Sequence, residues 1–187
     1  YANFTGQPAS QILTNGTIIN YNLGSETEGA EFEITAHPFK HMGDALGGFE
    51  LAFSGTYQHG TYNAGGPGIT GSEVARQPDF QFRLTPSYTL DTSIGVAKLF
   101  ATTTYVDSRW GDQFDTQFLP SYMTEDIGAS LMMDNGLEVR FTGTNITNTL
   151  AITEGNSRVV GSGTVGGVFL GRPLFGATYE GSVALHF

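Results

Sequence analysis

Apolar and polar side chains alternate along most of this chain. In Phe49-Glu50-Leu51-Ala52-Phe53-Ser54-Gly55-Thr56-Tyr57, one face would carry Phe49, Leu51, Phe53 and Tyr57, and the other Glu50, Ala52, Ser54 and Thr56. The same period runs through Phe80, Phe82, Leu84, Pro86, Tyr88 and Leu90 against Asp79, Gln81, Arg83, Thr85, Ser87 and Thr89. Leu137, Val139 and Phe141 alternate with Glu138, Arg140 and Thr142, and Phe32 and Ile34 with Glu31, Glu33 and Thr35. A period of two is that of a strand whose faces meet different surroundings, and helical periodicity is hard to find. In 95–105, Val96 and Phe100 share a parity with Lys98, which predicts a bulge or a shifted face.

The breaks come in two sizes, and they alternate. Short ones at 40–47, 91–93 and 134–136 carry the Gly, Asn and Asp of tight turns; long ones at 63–77, 107–119 and 154–172 are rich in Gly, Pro and polar residues. This is the layout of an outer-membrane barrel, with short periplasmic turns and longer extracellular loops. With the C-terminus on the periplasmic side, the spans are 21–38, 48–62, 78–91, 95–107, 120–134, 136–153 and 174–187. Residues 1–20 are then an extracellular segment or a partial strand, and 21–187 the C-terminal strands of a barrel.

Composition sharpens this. Charged residues are 14% of the 187, while 26 Gly, 14 Phe and 8 Tyr supply what a wall between lipid and water needs. No run approaches the roughly 18 apolar residues of a membrane helix, so a span must be made of strands. The net charge of −10 argues against nucleic acid as a partner. With no cysteine, thiolate zinc sites, disulfides and cysteine nucleophiles are excluded. The chain opens at Tyr1 without a leader pattern, as expected of a mature or truncated segment.

Seven strands left open in lipid would expose two edges, at several kcal/mol per unsatisfied backbone group. Either residues 1–20 add an eighth strand and a small barrel closes, or the missing strands lie elsewhere in the gene or on another chain.

Several motifs narrow the class. Asn22-Leu23-Gly24 followed by Glu28-Gly29-Ala30-Glu31-Phe32-Glu33, then Thr144-Asn145-Ile146-Thr147-Asn148, then Gly171-Arg172-Pro173, resemble in order and spacing the strands of TonB-dependent receptors. The alternating end, with Tyr179, Val183, Leu185 and a final Phe187, resembles the C-terminal signal recognised by the outer-membrane insertion machinery. The resemblance implies the last third of a barrel of about 22 strands in the bacterial outer membrane. It also implies energised import of a metal chelate, vitamin, saccharide or peptide. A plug supplied elsewhere would gate it, and TonB would act only indirectly, through that plug. The family's plug and TonB box are not seen in this sequence. An alternative from another class is a structural barrel subunit, a scaffold within a larger outer-membrane complex.

Enzymatic and cofactor motifs are weak. Gly161-Ser162-Gly163-Thr164-Val165-Gly166 fits a dinucleotide fingerprint but opens no helix, so a loop is the better explanation and no cofactor is expected. His37 and His41 flank Pro38, which breaks the helical pairing zinc would need, so no metal site is expected. Glu31/Glu33 and Glu125/Asp126 read as lumen carboxylates rather than a hydrolytic pair, and no catalytic residue is identified. Tyr57, Tyr62, Tyr105, Tyr122 and Trp110 lie on the loop side, where rings anchor at headgroups or stack on a ligand. The substrate-loop candidates are Arg109, Trp110, Asp112 and Asp115 in one loop, with Tyr62 and Arg158 beside it.

Overall fold

The alternating segments become strands, and each pairs with the next. The computed structural model describes residues 1–12, 17–158 and 168–186. In chain order the strands are β1 (Ala2–Ile12), β2 (Ile18–Ala36), β3 (Phe49–Ala64), β4 (Phe80–Thr92), β5 (Gly95–Val106), β6 (Arg109–Trp110), β7 (Phe118–Leu119), β8 (Tyr122–Met133), β9 (Leu137–Thr144), β10 (Ile152–Arg158), β11 (Val168–Pro173) and β12 (Thr178–Leu185). Eight of them form one sheet in the order β1-β2-β3-β4-β5-β8-β9-β12, all antiparallel. β6–β7 and β10–β11 are small hairpins within the long loops. A single helical turn, Asp44–Gly47, sits in the break between β2 and β3.

Register puts the two chemistries on opposite faces. Phe49, Tyr88, Leu99, Ala129, Phe141 and Gly181 form one cross-strand row, and Thr89, Lys98, Ser130, Arg140 and Ser182 form another of the opposite parity. The apolar face stays open: Tyr57 is 56% exposed, Leu99 56% and Val183 70%. Its rings pack along the sheet, Phe32 on Phe53 at 5.4 Å, Phe53 on Phe82 at 5.9 Å and Phe82 on Tyr105 at 5.5 Å. The buried core among the described residues is small and lies near the loops, around Leu23, Tyr62 and Ile69.

Tyr57, Tyr105 and Tyr179 all stand on the apolar face toward the long-loop end. Between Tyr57 and Tyr179 the rows step six residues down β3 over five strand spacings. With a rise of about 3.3 Å per residue and a spacing of about 4.8 Å, a line through these rings crosses the strands at about 40° from the perpendicular. Strands of membrane barrels are tilted by a similar angle, about 35–45°.

Three expectations are corrected. First, no bulge occurs in β5: its register with both β4 and β8 is constant from end to end. Val96, Lys98 and Phe100 simply share the polar face, and Phe100 fits there because its ring lies over Gly128, where a Cβ would come within 2.2 Å. Shifts occur instead between Phe4 and Gln7, where Gly6 has φ 71, and between Gly24 and Ser25. Second, 136–153 is not one span. β9 stops at Thr144 because Asn145 adopts φ 48 and turns the chain. Third, residues 2–12 do form an eighth strand in the sheet, but no small barrel closes: β1 pairs only with β2 and β12 only with β9 among the described residues.

The ladder between β4 and β5 lacks two pairs, Thr85–Thr102 and Pro86–Ala101, at the proline that has no N–H to donate. On the polar face the Thr85 and Thr102 hydroxyls bond at 3.0 Å across this gap, with Thr102 only 2% exposed.

Candidate functional site

Three long connections, 65–79, 107–121 and 145–177, leave the same end of the sheet. The first folds back onto β3. Val74 N–H donates to Gly60 O and Tyr62 N–H to Ser72 O, both at 2.9 Å, and Gly71 N–H returns a bond to Tyr62 O at 2.8 Å. Ile69, fully buried, packs with Leu23 and Tyr62, and Phe114 of the second loop joins them. Tyr62 is thus 7% exposed, and its hydroxyl accepts from Ala75 N–H.

Asp112 organises the second loop. Its carboxylate accepts from Phe114 and Thr116 N–H and from the Thr116 hydroxyl. Asp115, at φ 52, accepts from Glu73 N–H at 3.3 Å, and Arg76 N–H donates to Trp110 O at 2.6 Å, so the first two loops are stitched together. The Trp110 ring meets Phe118 edge-on at 5.5 Å. Burial, helped by the nearby Asp79 and Asp115 charges, pushes the Glu73 carboxyl above its ordinary range, while His59 and the Trp110 side chain work against the shift.

Arg109 ties in the third loop. It is 6% exposed, donates to Thr153 O and Asp107 O, and stands 5.8 Å over the Tyr122 ring. Asn145, 5% exposed, holds the far side: its amide donates to Thr149 O and Phe175 O and accepts from Thr149 N–H. Arg158 closes β10, and its side chain lies outside the described residues, as do Gly161 to Gly166 and Phe187.

The structure therefore brings Tyr62, Trp110, Asp112 and Asp115 into one loop layer and places Arg109 at its joint with the third loop. Sequence reasoning missed Glu73, Gln77, Gln117 and the locking role of Asn145. Gln77 Nε2, Asp115 Oδ1 and both amide atoms of Gln117 are buried without a protein hydrogen-bond partner. Asn145 had a signal, an Asn in a short Thr/Asn-rich segment after a strand. Glu73 had none, since its partners are distant in sequence.

Glu125 and Asp126 turn to opposite faces: Glu125 accepts from the Thr103 hydroxyl at 2.8 Å, Asp126 from Asn145 N–H at 2.8 Å. His37 lies 3.7 Å from Glu50, His59 3.2 Å from Asp79 and His186 3.0 Å from Glu138. Among the described residues no group of three His, Asp or Glu could hold a metal ion. Along β12, Tyr179, Val183 and Leu185 share the apolar face and are exposed.

A family model described as "TonB dependent receptor-like, beta-barrel" matches residues 1–146. The fold is similar to that of the ferric yersiniabactin uptake receptor FyuA from Yersinia pestis, at TM-score 0.68 and 14% identity over 88% of this chain and 25% of that one. It is also similar to the ferric citrate transporter FecA in its unliganded form, at 0.63 and 14% over 97% and 27%. FpvA of P. aeruginosa, bound to a ferric pyoverdine, matches at 0.62 and 13% over 97% and 23%. The chain spans about a quarter of the length of these receptors. No curated protein matches it.

Proposed function

This chain belongs to the TonB-dependent receptor β-barrel family, whose members are outer-membrane transport receptors, and on that premise we propose that it forms wall and outer loops of a TonB-coupled importer. One observation carries the proposal. The sheet has a bare apolar face, a polar face behind it and two edges unpaired among the described residues, so in a membrane it needs further strands. Those strands, and a plug within the polar face, come from outside this sheet, either from the same gene or from another chain. TonB meets that plug and not these strands. The chain itself does no covalent chemistry.

Capture of substrate falls to the loop layer. Trp110, Asp112 and Asp115 offer it a ring and carboxylates, Tyr62 and Arg109 hold the layer in place, and Arg158 on the outer hairpin joins them. The names of the structural relatives make ferric chelates the first class to try. In cells lacking the native protein, labelled ferric chelate uptake should return with the native gene. Trp110→Ala should lower uptake, and removing TonB should abolish it. Uptake indifferent to TonB would overturn the proposal.

The C-terminal residues Tyr179, Val183, Leu185 and Phe187 serve the insertion machinery in the same proposal. The first three share the apolar face of an edge strand, with Gly181 between Tyr179 and Val183.

A further inference from the structure

Alternation fixes which face of a strand is apolar but leaves its register open, because a slide of two residues returns every side chain to its own face. At β4–β5 and β8–β9 the tight breaks 93–94 and 134–136 remove that freedom. At β3–β4 the connection 65–79 limits it by bonding back onto β3. The joints β2–β3, β5–β8 and β9–β12 are closed by the longer connections 37–48, 107–121 and 145–177, whose length by itself permits a slide of about 7 Å.

Each of these three joints carries an aromatic ring opposite a glycine. Phe32 is paired with Gly55, Phe100 with Gly128 and Tyr179 with Gly143, and a Cβ on any of the three glycines would press against the opposing ring. Two residues to either side, the same rings would meet Phe53 or Tyr57, Asp126 or Ser130, and Phe141 or Asn145. Only the observed alignment gives every ring a bare stretch of backbone to lie on.

We propose that these ring-over-glycine pairs are register keys, which select one alignment among those that the alternation allows. The proposal concerns assembly and is independent of what the loops capture. The β5–β8 key has the longest reach, since Arg109, just beyond β5, stands 5.8 Å over the ring of Tyr122, the first residue of β8. A slide of about 7 Å would part them.

This chain contains no cysteine, so introduced pairs report register against a clear background. The test uses the native protein that carries these strands, folded into lipid vesicles and oxidised with copper phenanthroline. Lys98→Cys with Ser130→Cys reads the observed register; Lys98→Cys with Met132→Cys, and Val96→Cys with Ser130→Cys, read the two slides. Only the first pair should close in the native background. Phe100→Ala should raise the share of the slid pairs about fivefold, the size of a strong cross-strand contact. Phe100→Leu should raise it less, and serves if alanine hinders folding. Leu99→Ala, which empties an apolar position on the other face of the same joint, should leave the pattern unchanged. The exchange of Phe100→Gly with Gly128→Phe, which sets the ring on the opposite strand, should restore the observed register. Heat-modifiable migration confirms folding of each variant. Slid pairs no commoner in the Phe100 variants than in the native background, an equal rise in Leu99→Ala, or an exchange that fails to restore the register would each overturn the proposal.

Discussion

The carboxylate of Asp126 on β8 accepts a hydrogen bond from the backbone N–H of Asn145 at 2.8 Å, tying one strand to the turn that ends the next. The Asn145 side chain makes three further bonds, two to Thr149 and one to Phe175, while its own backbone stays at φ 48. Asparagine tolerates that conformation better than most residues and can brace it.

Replacing Asn145 with Ala should cost about 2 kcal/mol, since it strips the turn of its side-chain bonds to Thr149 and Phe175. Thermal unfolding in detergent measures it. Asn145→Gly should recover the backbone part only. Equal stability of the Ala variant and the native protein would show that the turn holds without the amide.

Gly136 closes the turn between β8 and β9 at φ 84, and a Cβ there would stand 2.2 Å from the His186 carbonyl oxygen. Gly136→Ala should therefore destabilise by about 2 kcal/mol, combining left-handed strain with a backbone collision. The loss should appear as a lower temperature for the heat-modifiable shift.

Glu73 titrates above its ordinary value of 4.5, first because it is buried and then because Asp79 and Asp115 repel its charge. The folded loops thus hold a proton that the unfolded chain has released. Their packing is strongest below the unfolded value and weakens as pH rises through the folded one. Trp110, the single tryptophan, adjoins Glu73 and should report the change in its emission. Glu73→Gln should flatten that pH response and slow proteolysis of 65–79 at neutral pH.

Arg109 joins the second loop to Thr153 of the third while standing over Tyr122. Arg109→Ala should loosen both loops and weaken substrate binding, with protease cutting first in 107–121. Lysine should rescue little, because it cannot make the forked contact and stack at once. Unchanged binding in the Ala variant would confine Arg109 to local packing.

The spans were legible because a strand between two surroundings has to change chemistry at every residue, and Phe49 to Tyr57 does so at all but Ala52 and Gly55. Phe100 misled because parity alone cannot show that Gly128 on the next strand makes room for a ring. The end of β9 was missed because the apolar residues continue through Ile146, Leu150 and Ile152, while one Asn backbone angle turns the chain. In the loops, Trp110, Asp112 and Asp115 were visible as a polar cluster in one segment. Glu73 and Arg109 take their roles from partners about forty residues away, and no local pattern encodes such a meeting.

Every neighbour in the main sheet is also a neighbour along the chain, apart from loops between them. Assembly can then run as a zipper, each new hairpin templated on the last and closing only a modest length of chain. The two outermost strands have no mate among the described residues, so shutting each edge takes a strand from outside this sheet, an event separate from the zipper. Until they shut, those margins are where a chaperone would have most to protect.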